Sequence, residues 1–384
     1  MDAPVESARA ATALLADWAA RVGDAEARGA RGVASAEYIC RTPYCYDGSV
    51  VAAALLSECE GLEIEAVKGR VGNDTAALLQ SLSVIEQLYR LQKARWDAER
   101  PLPAAGEGED DRLLYSCRLP ATHAENLRNL LVAVAGEYRA LPLALARRLD
   151  ALHLENSAAR GQASPSARAR DALDVHAPLA ERVGLYSLKN DLEDAAFERL
   201  APGARKRIVR GLDDSRQARD AVLKDVTQRL KQLMMEDDVI RSAVTKIRVT
   251  LREKAPFSVW RKQRTLRQRR AGDAHSDFLE VWTHGKDDSV DQEPVLYPLD
   301  TIAFRVVFNP KRAEDSAALC YHALKLVHRT WPSMANRTKD YVEDPKPNGY
   351  QSLHTTVVTR LHRRKYPFEV QIRTGDMHTV AEFG

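Results

Sequence analysis

From Thr245 onward the hydrophobic period of this chain changes, and that change limits what it can fold into. Before it, apolar residues recur every three or four positions, as in "SARAATALLADWAARV", "GSVVAAALLSECEGL" and "GNDTAALLQSLSVIEQLYRLQKARW". That is the period of helices with one buried face. After it come β-branched and aromatic runs: "KIRVTL", "DFLEVWTH", "TIAFRVVF", "LHTTVVT" and "FEVQIR", with the amphipathic helix "EDSAALCYHALKLVHRTW" among them. Such residues suit a pleated surface. The expectation is a multidomain protein: an all-α N-terminal domain over 1–200, connecting helices over 201–244, and an α/β domain with a mixed sheet over 245–384. A length of 384 residues agrees, being too great for one ordinary core. Within the helical part, "PLPAAGEGEDD" reads as a loop. Thr122 to Glu125 has capping-box spacing, and Pro142 kinks or restarts the chain.

Composition excludes several classes. A formal net charge of +3 gives no bulk electrostatic reason to bind nucleic acid, so any functional cation cluster must be local. No apolar run approaches a membrane span and no secretory h-region is visible. Five cysteines without CxxC spacing read as free thiols in a reducing, intracellular compartment, cytoplasm or chloroplast stroma. The closing "AEFG" reads as a helix cut in mid-course.

One segment carries more chemistry than its fold requires. In "KDYVEDPKPNGYQSLHTTV" Pro347, Asn348 and Gly349 suffice for a turn, because Pro presets its entry and Gly supplies positive φ. Lys339, Lys346, Tyr350, Gln351 and His354 are surplus to that need. They present cations, an aromatic face and hydrogen-bonding groups suited to a nucleotide. Asp300, just before one strand, and Glu369, inside another, are placed to share a divalent cation with oxygen ligands. Taken singly, a solvated strand end is the commoner explanation for such a carboxylate. In "REKAPFSVWRKQ", Arg252, Lys254, Ser258 and Lys262 have spacings that put several on one face at a helix start. The run "RTLRQRR" reads as a basic solvated helix.

Taken in order, "REKAPFSVWRKQ", "LDTIAFRVV", "KDYVEDPKPNGYQSLHTTV" and "FEVQIRTGDMHTVAEFG" resemble the alarmone synthetase domain of the RelA/SpoT homologue family, of nucleotidyltransferase-like fold. "HAENLRNLLVAVAGEYRALPLALARRLDAL" and "DVHAPLAERVGLYSLKNDLEDAAFERL" resemble its helical HD-type hydrolase domain. The resemblance implies transfer of pyrophosphate from ATP to the 3′-hydroxyl of GDP or GTP, with AMP released and Mg²⁺ as cofactor. It implies that Tyr350 stacks on guanine, that Lys346, Asn348, His354 and Gln371 line the guanosine site, and that Lys339 binds its phosphates. Asp300 and Glu369 resemble the Mg²⁺-holding carboxylates, Glu369 also taking the proton of the attacking hydroxyl. Arg252 and Arg305 resemble the pair that sandwiches adenine, and Lys254, Ser258 and Lys262 the ATP phosphate contacts. Departures are Phe257 for the usual Tyr, Gln263 for a common Met, Thr338 for an aromatic, and a polar insertion from about Arg264 to Pro298.

The hydrolase half departs further. No histidine precedes His123. Ser57-Glu58 stands where the family's His-Asp pair falls, Glu60-Gly61 where a Glu-Asp pair follows, and Arg147 where a metal aspartate belongs. A cation at a cation site implies lost hydrolysis. The expectation is a synthetase with a pseudo-hydrolase domain. The alternative is a catalytically idle nucleotide-binding regulator that senses with both domains. Further expected partners are a regulatory domain beyond the C-terminal end or a second copy of the chain.

Overall fold

The computed structural model describes residues 3–20, 25–41, 47–99, 121–158, 166–214, 216–270, 302–346, 349–361 and 364–383. Two compact units divide at Pro202/Gly203.

The first unit is helical. Helix Gly48–Leu56 is its buried centre, and Asp47 caps it by accepting from the Ser49 and Val50 amides. Its core gathers Ala11, Leu14, Ala52, Leu56, Val67 and Ala76. Gly32 lets helix Ala25–Arg41 lie against it, since a Cβ there would run into the Leu55 carbonyl. Helix Ala140–Ala158 carries Pro142 in its first turn, where a missing N–H costs nothing; Pro142 therefore starts this helix without kinking it. The capping box does not form. Helix Ala121–Val134 already contains Thr122, and Glu125 is drawn to Arg128 and Arg182, each at 2.5 Å. A short π-helical stretch, Ala172–His176, interrupts the next helix. No described helix is long and apolar enough to cross a membrane.

The second unit is built on a five-stranded mixed sheet. In chain order the strands are β1 (Val244–Glu253), β2 (Ile302–Pro310), β3 (Lys339–Asp340), β4 (Leu353–Leu361) and β5 (Arg364–Thr374). Their order across the sheet is β1-β2-β5-β4-β3. Among the described residues, only the central β2–β5 pair is parallel. Alternation puts Phe304, Val306, Phe308, Leu353, Val357, Val370 and Ile372 on one face, all buried in a single core. Helix Ser316–Thr330 covers that face with Leu319, Cys320, Ala323 and Val327. Helix Arg216–Glu236 adds Val222, Val226, Leu230 and Met234 to the same core. Residues 203–244 thus belong with the sheet, where the sequence reads as a connector: a helix whose apolar stripe is buried in a domain is part of it. The expected strand "DFLEVWTH" lies outside the described residues.

Candidate active site on the polar face of the sheet

The same alternation sends the polar residues to the opposite face, and the register collects them from across the sheet. Arg252 on β1 pairs with Ala303 on β2, and Thr250 with Arg305. Ala303 in turn pairs with Glu369, and Arg305 with Gln371. Across β4, Gln371 faces His354 and Glu369 faces Thr356, while His354 faces Lys339 on β3. Arg252, Arg305, Glu369, Gln371, His354 and Lys339 therefore share one surface.

Hydrogen bonds join the centre of this surface into one line. The phenol of Tyr350 meets His354 Nε2 at 2.8 Å. His354 Nδ1 lies 3.0 Å from Glu369 Oε1, and Gln371 Nε2 donates to Glu369 Oε2 at 3.1 Å. Burial pushes the Tyr350 phenol above its ordinary pKa, outweighing the opposing Arg373 guanidinium. Gln371 is 4% exposed, and its Oε1 has no hydrogen-bond partner among the described residues. Such a buried acceptor costs free energy until a donor arrives.

Tyr341, not among the residues expected from the sequence, completes the aromatic cluster. Its ring stands edge-on to Tyr350 at 5.9 Å and to His354 at 5.3 Å. The Lys346 ammonium lies over both tyrosines, 4.8 Å from Tyr341 and 5.2 Å from Tyr350. The signal was present in "KDYVEDPKPNGY", where two aromatics flank one lysine. The expected turn brings them together: Gly349 has φ +76°, and its amide donates to the Lys346 carbonyl at 2.8 Å. Pro347 and Asn348, between them, lie outside the described residues. Asp340 fixes the preceding bend by accepting from the Val342 and Glu343 amides and from the Tyr321 hydroxyl.

The basic group near β1 needs one correction. Arg252 belongs to the strand, not to a helix face, because β1 runs to Glu253 before the helix opens at Pro256. Ser258 and Lys262, four residues apart on helix Pro256–Arg270, do share a face. Lys254 sits in the short link between strand and helix. Phe257 and Gln263 are 3% and 6% exposed, so both departures from the family pattern fall on the buried side of this helix. Thr338 bonds Thr355 at 3.2 Å, filling its place by polar contact. Asp300 and residues 271–301 lie outside the described residues.

In the helical unit, the residues at the expected hydrolase positions meet at an open cleft of about 850 Å³ lined by Ser57, Glu58, Glu60, Glu86, Arg90 and Arg147 among others. Arg147 Nε donates to Glu58 at 2.6 Å and its Nη1 to Glu86 at 2.7 Å. Arg31 adds a bond to Glu58 at 3.1 Å and Arg148 one to Glu86 at 3.4 Å. The guanidinium thus bridges two carboxylates across the cleft.

Comparison with known proteins accords with both halves. The HD domain family matches residues 8–186, and a region found in RelA/SpoT proteins matches 251–384. A GTP pyrophosphokinase of Streptomyces coelicolor is 32% identical over 328 residues, covering 84% of this chain and 33% of that protein. A putative chloroplastic GTP diphosphokinase, RSH1, of Oryza sativa is 32% identical over 269 residues, covering 68% of this chain and 27% of its own length. The chain spans about a third of the length of such relatives. The crystal structure of small alarmone synthetase 1 of Bacillus subtilis, bound to its product pppGpp, is 21% identical, covers 45% of this chain and 75% of that one, and has a TM-score of 0.28.

Proposed function

Because this chain belongs to the family of RelA/SpoT homologues, we propose that its second unit is a (p)ppGpp synthetase, transferring pyrophosphate from ATP to the 3′-hydroxyl of GDP or GTP. The observation that carries the reading is the Glu369 carboxylate, gripped by His354 and Gln371 within one hydrogen-bonded line that reaches Tyr350. The acceptor's guanine stacks on Tyr350, beside Tyr341, with Asn348 in the adjoining turn. Lys339 and Lys346 neutralise its phosphates. Arg252 and Arg305 lie diagonally on neighbouring antiparallel strands. Diagonal neighbours stand about 7–8 Å apart, the width of an adenine with one contact distance on each side. Lys254, Ser258 and Lys262 hold the ATP phosphates.

Glu369 takes the proton of the 3′-hydroxyl as its oxygen bonds to the β-phosphorus of ATP. The bond from that phosphorus to the α,β-bridging oxygen breaks, and AMP leaves with the electron pair. Such transfer asks mainly for positioning and charge neutralisation. The donor available on the polar face fits Mg²⁺ in kind: Glu369 is a carboxylate held in place by His354 and Gln371, and this ion typically takes one or two carboxylates plus substrate phosphates. Glu369 and Asp300 would hold it, and it would neutralise phosphate charge. The orphaned Gln371 Oε1 offers an acceptor to a nucleotide hydroxyl. The domain limits that fit this reading are a helical pseudo-hydrolase to about residue 200 and a synthetase unit that includes the helices before residue 245. Cys59 and Cys320 are free thiols among the described residues, which fits a reducing compartment, cytoplasm or chloroplast stroma.

Incubation with ATP, GDP or GTP and Mg²⁺, with nucleotides resolved by chromatography, should yield (p)ppGpp and AMP in equal amounts. Nucleotide binding without product would favour the idle sensor. Tyr350→Ala should weaken GDP or GTP binding tenfold to a hundredfold, since base stacking on an aromatic contributes about 1–3 kcal/mol. ATP affinity should hardly move, and Tyr350→Phe, which keeps the ring but loses the bond to His354, should lose no more than about tenfold. Equal losses for both nucleotides in calorimetry would make Tyr350 a packing residue.

For the helical unit we infer lost hydrolase activity, on the strength of Arg147 between Glu58 and Glu86. Purified protein given ppGpp and Mn²⁺ should release no pyrophosphate, and Mn²⁺-dependent release would contradict the inference.

A further inference from the structure

We propose that His354 is a positioning residue that locks the Tyr350 ring to the Glu369 carboxylate, so that one side chain sets both the guanine platform and the direction of the base. The proposal rests on the synthetase reading of this site and adds a division of labour within it.

The imidazole is held from every side. Its backbone neighbours, Leu353 and Thr355, are both 0% exposed. Its ring stands edge-on to Tyr341 at 89° and to Tyr350 at 77°. Its two nitrogens are then committed to different partners, Nδ1 to Glu369 and Nε2 to Tyr350. An ionised carboxylate can only accept, so Nδ1–H donates to Glu369, and Nε2 is the nitrogen left to meet the Tyr350 hydroxyl. Gln371, opposite His354 in the register, holds the other carboxylate oxygen. The carboxylate is therefore fixed by two side chains from facing strands, and of these two it is His354 that also bonds the Tyr350 phenol.

The two bonds can be cut separately, because the amide of Asn stands where Nδ1 stands and that of Gln where Nε2 stands. A hydrogen bond of this kind accounts for about tenfold. His354→Asn keeps the donor to Glu369: kcat should stay close to wild type while KM for GDP rises about tenfold. His354→Gln keeps a partner for Tyr350: KM should hold while kcat falls about tenfold or more. His354→Phe should lose both, and KM for ATP should move in none of them. A packing role would leave Phe near wild type or move kcat and KM together in all three, and either result overturns the proposal. If wild-type protein makes no product, the synthetase reading fails by itself, and the lock is read by ¹⁵N NMR of histidine-labelled full chain. The expected spectrum has His354 protonated at Nδ1, with its signals displaced by Glu369→Leu at Nδ1 and by Tyr350→Phe at Nε2. Protonation at Nε2 alone, or indifference to both substitutions, sinks it.

Discussion

Glu369→Gln is expected to stop (p)ppGpp synthesis almost completely, with kcat falling at least about a thousandfold. Gln has nearly the same shape, and its carbonyl oxygen can still accept from His354 Nδ1 at the Oε1 position. Its amide nitrogen, however, would face the Gln371 amide, which now donates to Oε2, so the side chain is less firmly oriented. The larger loss is chemical. A neutral amide cannot take the proton of the attacking hydroxyl, a contribution of about 10²–10⁴ by itself, and it is a poor ligand for a divalent cation beside it. The two losses act on one transition state and need not add. Because the position is a strand residue half-buried on the polar face, stability should change little. Matched melting temperatures with retained GDP binding, beside a loss of turnover, would identify the effect as chemistry. Turnover within tenfold of wild type would remove Glu369 from the catalytic role.

The parts of this site that were legible in the sequence are those encoded within a few residues. The four longer strands follow from β-branched and aromatic runs, and the Lys346–Gly349 turn from Pro, Asn and Gly. Strand β3 was not legible, because two residues, Lys339 and Asp340, show no period; it exists by pairing with His354 and Leu353. Arg252 read as helical because charged residues at spacings of two and four suit a helix as readily as a strand end. The helix Arg216–Glu236 read as a connector because its charged face dominates its composition, while its buried stripe becomes visible only against the sheet. The line from Tyr350 to Gln371 depends on register between β4 and β5, which no local pattern states. Tyr341 was missed for the same reason: its value lies in the rings it meets.

Arg147→Met is the second substitution expected to have a large effect, and it bears on why the helical unit persists without its chemistry. Arg147, Glu58 and Glu86 have side chains 17%, 13% and 9% exposed. Removing one partner from a buried ionic set leaves charge unpaired in poor solvent, at a cost of 3–5 kcal/mol. Arg31 and Arg148 remain near Glu58 and Glu86, which places the expected loss at the lower end, about 3 kcal/mol. In the full chain, unfolding of two units need not be a single transition, so the local measurement is amide exchange in helix Gly48–Leu56, which leads into Glu58. Exchange there should quicken about a hundredfold, while amides of β2 and β5 keep their wild-type rates. The triple replacement Glu58→Gln, Glu86→Gln, Arg147→Met should recover most of the loss, because it removes the charges together instead of stranding two of them. If Arg147→Met leaves exchange in this helix unchanged, the guanidinium is only filling space, and something other than this ionic bridge holds the cleft together.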